Sequence, residues 1–462
     1  MTTISLPQHA KGKVAPDQLK SALSTTPGQL KLAGVLVSFL ALLLWFTAHS
    51  GIATARTAVQ TIGKDTVPSI IAAQKIRADL ADMDANANNG FFSRGTKAAR
   101  QAYETDRHNA ADMLVKAAQN ITYGDEERAP ILTITEGLEV YTGQIESART
   151  LGFPKGLDTL RAASALMHTI LLPASEALDT ANFNHLNKDY EESKSSIPGS
   201  LTRILMLGAV TLLGLVGIQL FLFLRMKRIF NIPLAAATFI LLIWLMATSN
   251  TIASIQHDLK VAKVDAFDSI DALMKARAVA YDANGDESLY LLEHGSNSPA
   301  EVVQQSERSF QQKVALIADS PLTPEVVAAA GNGAPTFKGY LGDELRNITF
   351  DGEKAAAIAA LTTYAQYVEM DKHLRELETS GKHQEAVEFC TGTNEGQSNW
   401  GFSQFDDALG KVIDINQKAF DGRIEHGFRG LNWLPAGAVI APLLVALLAL
   451  LGLFPRIREY SH

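Results

Sequence analysis

The sequence predicts an all-α membrane protein: four transmembrane helices carrying two tandem, duplicated extracytoplasmic four-helix bundles. Three observations predict it. Four apolar blocks interrupt an otherwise polar chain of 462 residues. Helical periodicity fills nearly everything between them, while strand signals are almost absent. The chain also repeats itself at an offset of 200 positions.

Residues 1–31 form a basic leader, with Lys11, Lys13, Lys20 and Lys31 against Asp17. The block LAGVLVSFLALLLWFTA that follows holds no charge and sits within the first predicted span, 32–49. A spanning helix needs roughly 20 apolar residues, at about 1.5 Å each, to cross about 30 Å of hydrocarbon. A cleaved signal peptide is the competing reading, but the block starts late, runs long and lacks a small-x-small site before His49.

Residues 50–203 read as the first outer bundle. A long helix is expected to leave the span through QKIRADLADMDAN and to end near Gly95. KAARQAYETDRHNAADMLVKAAQNI and ILTITEGLEVYTGQIESART supply the next two helices. The fourth, LDTLRAASALMHTILLPASEALDTANFNHLNKDY, is expected to kink at Pro173. The second span is 204–224, the loop 225–231 carries Arg225, Lys227 and Arg228, and the third span is 232–250.

The second outer bundle, 251–432, follows the same course with insertions. Pro299 to Ala318 is expected to be helical with Ser298 as its cap. ADSPLTPEVVAAAGNGAPT reads as a loop, GEKAAAIAALTTYAQYVEMDKHLRELETSG as a strong helix ending in Gly381, and KHQEAVEFC as a short one. A helix beginning near SNWGFSQF returns to the fourth span, 433–454, before the tail 455–462.

Charge sets the orientation. The leader, the middle loop and the tail hold nine of the 41 Lys and Arg but only two of the 49 Asp and Glu. By the positive-inside rule these segments face the cytoplasm, so both termini lie inside the cell membrane and the large domains lie outside. The outer segments are acidic, which argues against a nucleic-acid partner. The single cysteine, Cys390, rules out an intrachain disulfide.

The repeat needs no gap. Asp65, Ser69, Ile70, Ala72, Lys75, Arg77, Ala78 and Asp82 meet Asp265, Ser269, Ile270, Ala272, Lys275, Arg277, Ala278 and Asp282. In a continuous helix one inserted residue turns everything beyond it by about 100°, so a gapless match implies that helical phase is kept. These repeated charges are the candidate ligand or partner sites: Lys75, Arg77, Asp82, Lys275, Arg277 and Asp282. If the arginines faced each other across a pseudo-two-fold axis, their repulsion would favour an anion between them. A solvated helix face is the plainer reading. Arg225, Lys227 and Arg228 are candidates for a cytoplasmic partner or anionic lipid.

Catalytic signatures are absent. There is no Gly-rich phosphate loop, HExxH, paired Cys or Gly-x-Ser-x-Gly elbow, so neither an enzyme nor a cofactor is expected. The spans carry no Asp, Glu, Lys or Arg, which argues against transport. His168 and His185 read as surface or core-edge groups. Asp282, Asn284, Asp286 and Glu293 match positions of a calcium loop, but Glu287 stands where glycine is needed, and on a helix their oxygens would diverge. No metal is therefore expected. The Asn-x-Thr triplets at Asn120 and Asn347 receive no role.

The plan of span, outer helical bundle, span resembles one subunit of a bacterial chemoreceptor or sensor-kinase input module. The stretches "LADMDANANNGFFSRG", "GFPKGLDTLRAASALMHTILLPAS", "YDANGDESLYLLEHG", "RNITFDGEKAAA", "SGKHQEAVEF" and "FDDALGKVIDIN" resemble the actinobacterial GlnX family of four-span membrane proteins. That resemblance implies amino-acid sensing. An extracytoplasmic substrate-binding lipoprotein of the GlnH type, for glutamate, glutamine or aspartate, would be coupled to a cytoplasmic Ser/Thr protein kinase of the PknG type. It assigns no residue roles. The alternatives are a non-switching scaffold or accessory subunit of a membrane complex, and a direct small-molecule chemoreceptor.

Overall fold

The computed structural model describes residues 25–459 except 93–96, 227–230, 297 and 334. Among them the regular elements are all helical. In chain order they are α1 (Thr26–Gln60), α2 (Val67–Phe92), α3 (Lys97–Gln119), α4 (Asp125–Leu151), α5 (Leu157–Leu166), α6 (Leu172–Met226), α7 (Ile232–Lys260), α8 (Asp268–Gly295), α9 (Ala300–Ile317), α10 (Pro324–Asn332), α11 (Tyr340–Arg346), α12 (Glu353–Thr379), α13 (His383–Thr391) and α14 (Ser398–Arg458). Wider π segments at Thr61–Thr66, Met167–Leu171 and Val261–Phe267 join α1 to α2, α5 to α6 and α7 to α8.

Four helical stretches among the described residues, within α1, α6, α7 and α14, are long and apolar enough to cross a membrane. They belong to one compact unit, drawn from Met1–Thr57, Ser193–Gln256 and Phe428–His462. Their inner stripes recur at three and four residues, as in Val37, Ala41, Leu44 and Ala48 of α1 and Leu234, Ala237 and Leu241 of α7, all buried. Small residues let neighbouring helices close: Gly34 of α1 lies under Leu453 of α14, Gly51 of α1 under Ser200 and Ile204 of α6, and Gly208 of α6 under Leu245 of α7. Asn231 donates to the Gly452 carbonyl at 2.8 Å, and Gln219 to Thr238 at 2.9 Å. The outer faces expose Phe39, Phe46, Leu213, Phe239, Met246 and Phe454. So large an apolar surface suits lipid and not water.

The second unit comprises Ala58–Glu192 and His257–Gly427. Its first arm packs α2, α3, α4 and the α5–α6 rod around Ile76, Leu80, Met83, Tyr103, Ile134, Tyr141, Leu160 and Met167. The second arm packs α8, α9, α11, α12 and α14 around Leu273, Phe310, Ile317, Leu361, Tyr364, Tyr367, Phe405 and Leu409. A satellite cluster of Tyr290, Leu291, Leu374, Ala386 and Cys390 seats α13.

Several sequence expectations change in detail. The first and third apolar helices do not run into the outer helices as plain α-helix; each first passes through a π segment. Those segments begin at Thr61 and Val261, two hundred positions apart, so the extra residue occurs at both places and helical phase is kept across the offset. Pro173 stands two residues past a third π segment, Met167–Leu171, where a residue without an N–H leaves the ladder short of one donor. Ser298 does not cap α9. Pro299 holds that position, and the Ser298 hydroxyl is engaged with Glu293 and Arg161, a charge-assisted contact stronger than a cap. The stretch read as a loop contains α10, whose first turn is set by Thr323 as N-cap and Pro324 after it.

Candidate functional site

The arms meet along α2 and α8. Near the middle, Gly285 lies so close to Ala85 that a Cβ built on it would be 3.7 Å from the Ala85 Cβ. Small side chains at this crossing let the backbones approach, and polar groups flank it on both sides. The result is a seam of buried and half-buried hydrogen bonds and charges.

The candidate residues fall into this seam unevenly. Lys275 binds Asp271 at 2.8 Å, reaches Asp179 of the first arm at 3.8 Å and sits over the Phe183 ring. Gln74 crosses to Asp271 at 2.6 Å. Lys75 is exposed. Arg77 pairs with Glu176 at 3.5 Å, and Arg277 grips Asp406 through two bonds of 2.6 and 2.5 Å. Each arginine is thus matched by a carboxylate from the returning helix of its own arm, so the two do not form a bare cationic pair. Asp82 receives the Asn86 amide, which also reaches Asp106. Asp282 and Asp286 both turn to Lys313, at 2.9 and 2.6 Å. Glu293 turns away to Arg161, so the helix spreads the calcium-like positions over different partners. Among the described residues no cluster of His, Cys, Asp and Glu could hold a metal ion. Arg225 is exposed, and Lys227 and Arg228 lie outside the described residues.

Electrostatics divide the seam into two regions. Around Arg277, carboxyls outnumber cations. Burial and the charge of Asp106 push Asp79 up to about 7, against the pull of Lys75 and Arg277. Burial likewise pushes Asp106 up to about 6. Asp82 is raised well above the usual range by burial and by Asp106, Asp406 and Asp79. At Asp179, burial outweighs the nearby Lys275 and lifts the group to about 6.

The other region is a chain of paired charges. Asp84, buried in the first arm, accepts from Tyr141 at 2.8 Å and Ser164 at 2.7 Å. His168 lies 3.5 Å from Asp84 and 3.3 Å from Asp282, bridging the two arms. Burial alone would lower the imidazole, but the hydrogen bond to Asp84 and the charges of Asp282 and Asp84 hold it above the usual histidine value. Farther along, Arg161 of the first arm makes bonds of 2.9 and 2.5 Å to Glu293 of the second. Sequence reasoning gave Asp79, Asp84, His168, Arg161 and Lys313 no part in this, because their partners are distant in the chain.

Two clasps also went unrecognised. In the first arm Asn120 donates to the Asp65 carbonyl at 2.8 Å and to Ser69, while Glu127 accepts from the N–H groups of Thr122 and Tyr123 at 2.6 Å. In the second, Asn347 donates to the Val264 and Asp265 carbonyls and to Ser269, and Glu353 accepts from Thr349 and Phe350. The carbonyls taken lie in or beside the π segments, where the widened ladder leaves them short of donors. The visible signal was the repeated Asn-Ile-Thr-aromatic run at 120–123 and 347–350.

Residues 58–191 match a protein-family model described as an actinobacterial sensor domain. The match spans the first arm and falls well short of half the chain. No curated protein and no solved structure matches. Together with the four apolar helices, the sensor-domain match supports a signal-sensing membrane protein of actinobacterial type.

Proposed function

We propose that this chain is a transmembrane signal transducer, built by tandem duplication of one helical arm on two membrane anchors. The arms stand outside the cell membrane and both termini inside. A docked substrate-binding lipoprotein reports glutamate, glutamine or aspartate, and the signal passes to a cytoplasmic Ser/Thr kinase. The sensor-domain match supports sensing in general; the amino-acid ligand and both partners rest on the family resemblance.

The observation that carries the switching part is the polar seam. Small residues let α2 and α8 approach closely at the crossing, and the half-buried charges beside it, such as Lys275 between Asp271 and Asp179, have more than one carboxylate within reach and so can exchange partners between two arrangements. An effector shifts such an equilibrium only through unequal affinity for its two states, and a tenfold bias needs about 1.4 kcal/mol. The matched π segments and their asparagine clasps support the duplication and mark where each arm can flex.

The crossing provides the test. Cysteines in place of Ala85 and Gly285 would have Cβ atoms near the 3.7 Å found there, a spacing suited to a disulfide. The native Cys390 is buried, so background reaction is low. In membranes reconstituted with the lipoprotein, glutamate should change the rate of A85C/G285C disulfide formation several-fold, and the locked protein should no longer pass the amino-acid signal to the kinase. A rate indifferent to lipoprotein and amino acid would sink the switching reading in favour of a scaffold.

A further inference from the structure

In the first arm the rod beside α2 is one helix, α3. In the second arm the rod beside α8 is broken: α9 stops at Ile317, the chain makes an excursion, and α11 resumes at Tyr340. The base of the excursion is stapled. The Asp319 N–H donates to the Lys338 carbonyl at 3.1 Å, and the Lys338 N–H to the Asp319 carboxylate at 2.7 Å. Gly339 closes it at φ 102°, where a Cβ would stand 2.6 Å from the Ile317 carbonyl oxygen, so no other residue fits without strain.

The excursion lays α10 against α12 and leaves a pocket of about 900 Å³ between α9, α10 and α12. That is the size of a site for a drug-sized molecule. Its wall positions Ile358, Thr362, Ala365 and Glu369 recur along one face of α12, so the pocket follows a helix groove. Ala315, Ala318, Ala328 and Ala365 stand where larger side chains would have filled the space and buried more apolar surface. Leu322, Val327 and Ile358 supply most of the apolar lining near α10, where a Cβ on Gly331 would stand 4.0 Å from Ile358; Asp319, Ser320 and Thr323 also line the pocket. Gln311, Gln366, Glu369 and Lys372 line it next to the place where Phe310 underlies Arg375. Glu369 and Lys372 are paired at 2.7 Å and the Asp319 carboxylate accepts from the Lys338 N–H, so the exposed Gln311 and Gln366 amides are the donors left for an acceptor. The Tyr364 hydroxyl is buried in the floor without a partner among the described residues.

We propose that this pocket is a binding site for an uncharged, mostly apolar small molecule bearing a hydrogen-bond acceptor at one end. The apolar lining near α10 takes the body, and the Gln311 and Gln366 amides take the acceptor. The inference is independent of the signalling reading above, since it concerns one arm only and needs neither the seam nor a partner protein.

Benzophenone is a suitable probe: neutral, two-ringed, with a single carbonyl acceptor, and photoreactive towards C–H bonds. The full chain in lipid nanodiscs would be irradiated with it and the adducts mapped by peptide mass spectrometry. Adducts are expected on residues 311–328 and 358–369 as well as on the apolar helices, where dissolved probe reacts in any case. Filling the pocket from either wall, with A365W or A315F, should cut the pocket adducts at least tenfold and leave those on the apolar helices unchanged. The latter also report that each variant has folded and inserted. Labelling confined to the apolar helices, or pocket adducts that survive both variants, would overturn the proposal. Pocket labelling that falls as protein concentration rises, with a shift to a dimer on sizing, would overturn it in favour of a second copy of this chain.

Discussion

Burial decides what each charged residue of the seam is worth. Arg77 and Arg161 look alike in sequence, but the partner of Arg77, Glu176, is 60% exposed while that of Arg161, Glu293, is 2% exposed. Truncating Arg161 to Ala strands a buried carboxylate and should cost about 3 kcal/mol, whereas the same change at Arg77 should cost under about 1 kcal/mol. Urea unfolding of the two variants side by side measures the contrast. Asp79 gives the opposite sign. Its folded pKa of about 7 lies above the 3.8 of an ordinary Asp, so the fold binds the extra proton. The stability this group contributes is full below pH 4 and is lost as pH rises through 7. Asp79→Asn should therefore stabilise the protein at pH 8 by roughly 1–2 kcal/mol and change little at pH 4. A variant with the pH profile of the parent would remove Asp79 as the source. His168 was legible in the sequence only as an ordinary helix residue. Its acidic neighbours come from α2 and α8, and nothing local announces them.

At the scale of elements, the apolar helices and most outer helices could be read directly, because a 3.6-residue period and a charge-free block are local patterns. The π segments could not. One extra residue in a turn leaves no compositional trace, and its presence at both places kept the offset gapless, so no insertion was visible. The Asn-Ile-Thr clasps were hidden for a related reason: the excursion between α9 and α11 displaces the second clasp from the common offset. A clasp asparagine contributes side-chain bonds to backbone carbonyls that otherwise lack donors, each worth about 1 kcal/mol and more when the acceptor is left buried and unpaired. Asn347→Ala should speed amide exchange in residues 261–269 by tenfold or more, and Asn120→Ala should do the same in 61–69. Each effect should stay within its own arm. Exchange that rises equally in both arms would mean the clasps hold the whole unit and not the local turn.

At the scale of the molecule, the offset of 200 predicted that related helices would meet, and α2 does pack on α8. What the offset could not give was the character of their meeting. Repeated Lys and Arg suggested two like charges facing each other, yet each arginine pairs with a carboxylate of its own arm, Lys75 is exposed, and an alanine and a glycine occupy the crossing. Bulk at that point tests how much depends on close approach. Gly285→Leu would place a branched side chain against the Ala85 backbone, which a Cβ on Gly285 would already meet at 3.8 Å. Overpacking of this kind costs about 1–3 kcal/mol and should splay α2 from α8 without unfolding either arm. Lower melting temperature with helical content intact is the expected result, read by circular dichroism.

Because α2 and α8 belong to one polypeptide, their meeting is unimolecular. Two separate subunits joined by so polar a surface would come apart on dilution, whereas here the tether fixes an effective concentration that does not follow how much protein the cell makes. A marginal contact can therefore remain formed, and its balance point holds steady from a sparsely populated membrane to a crowded one.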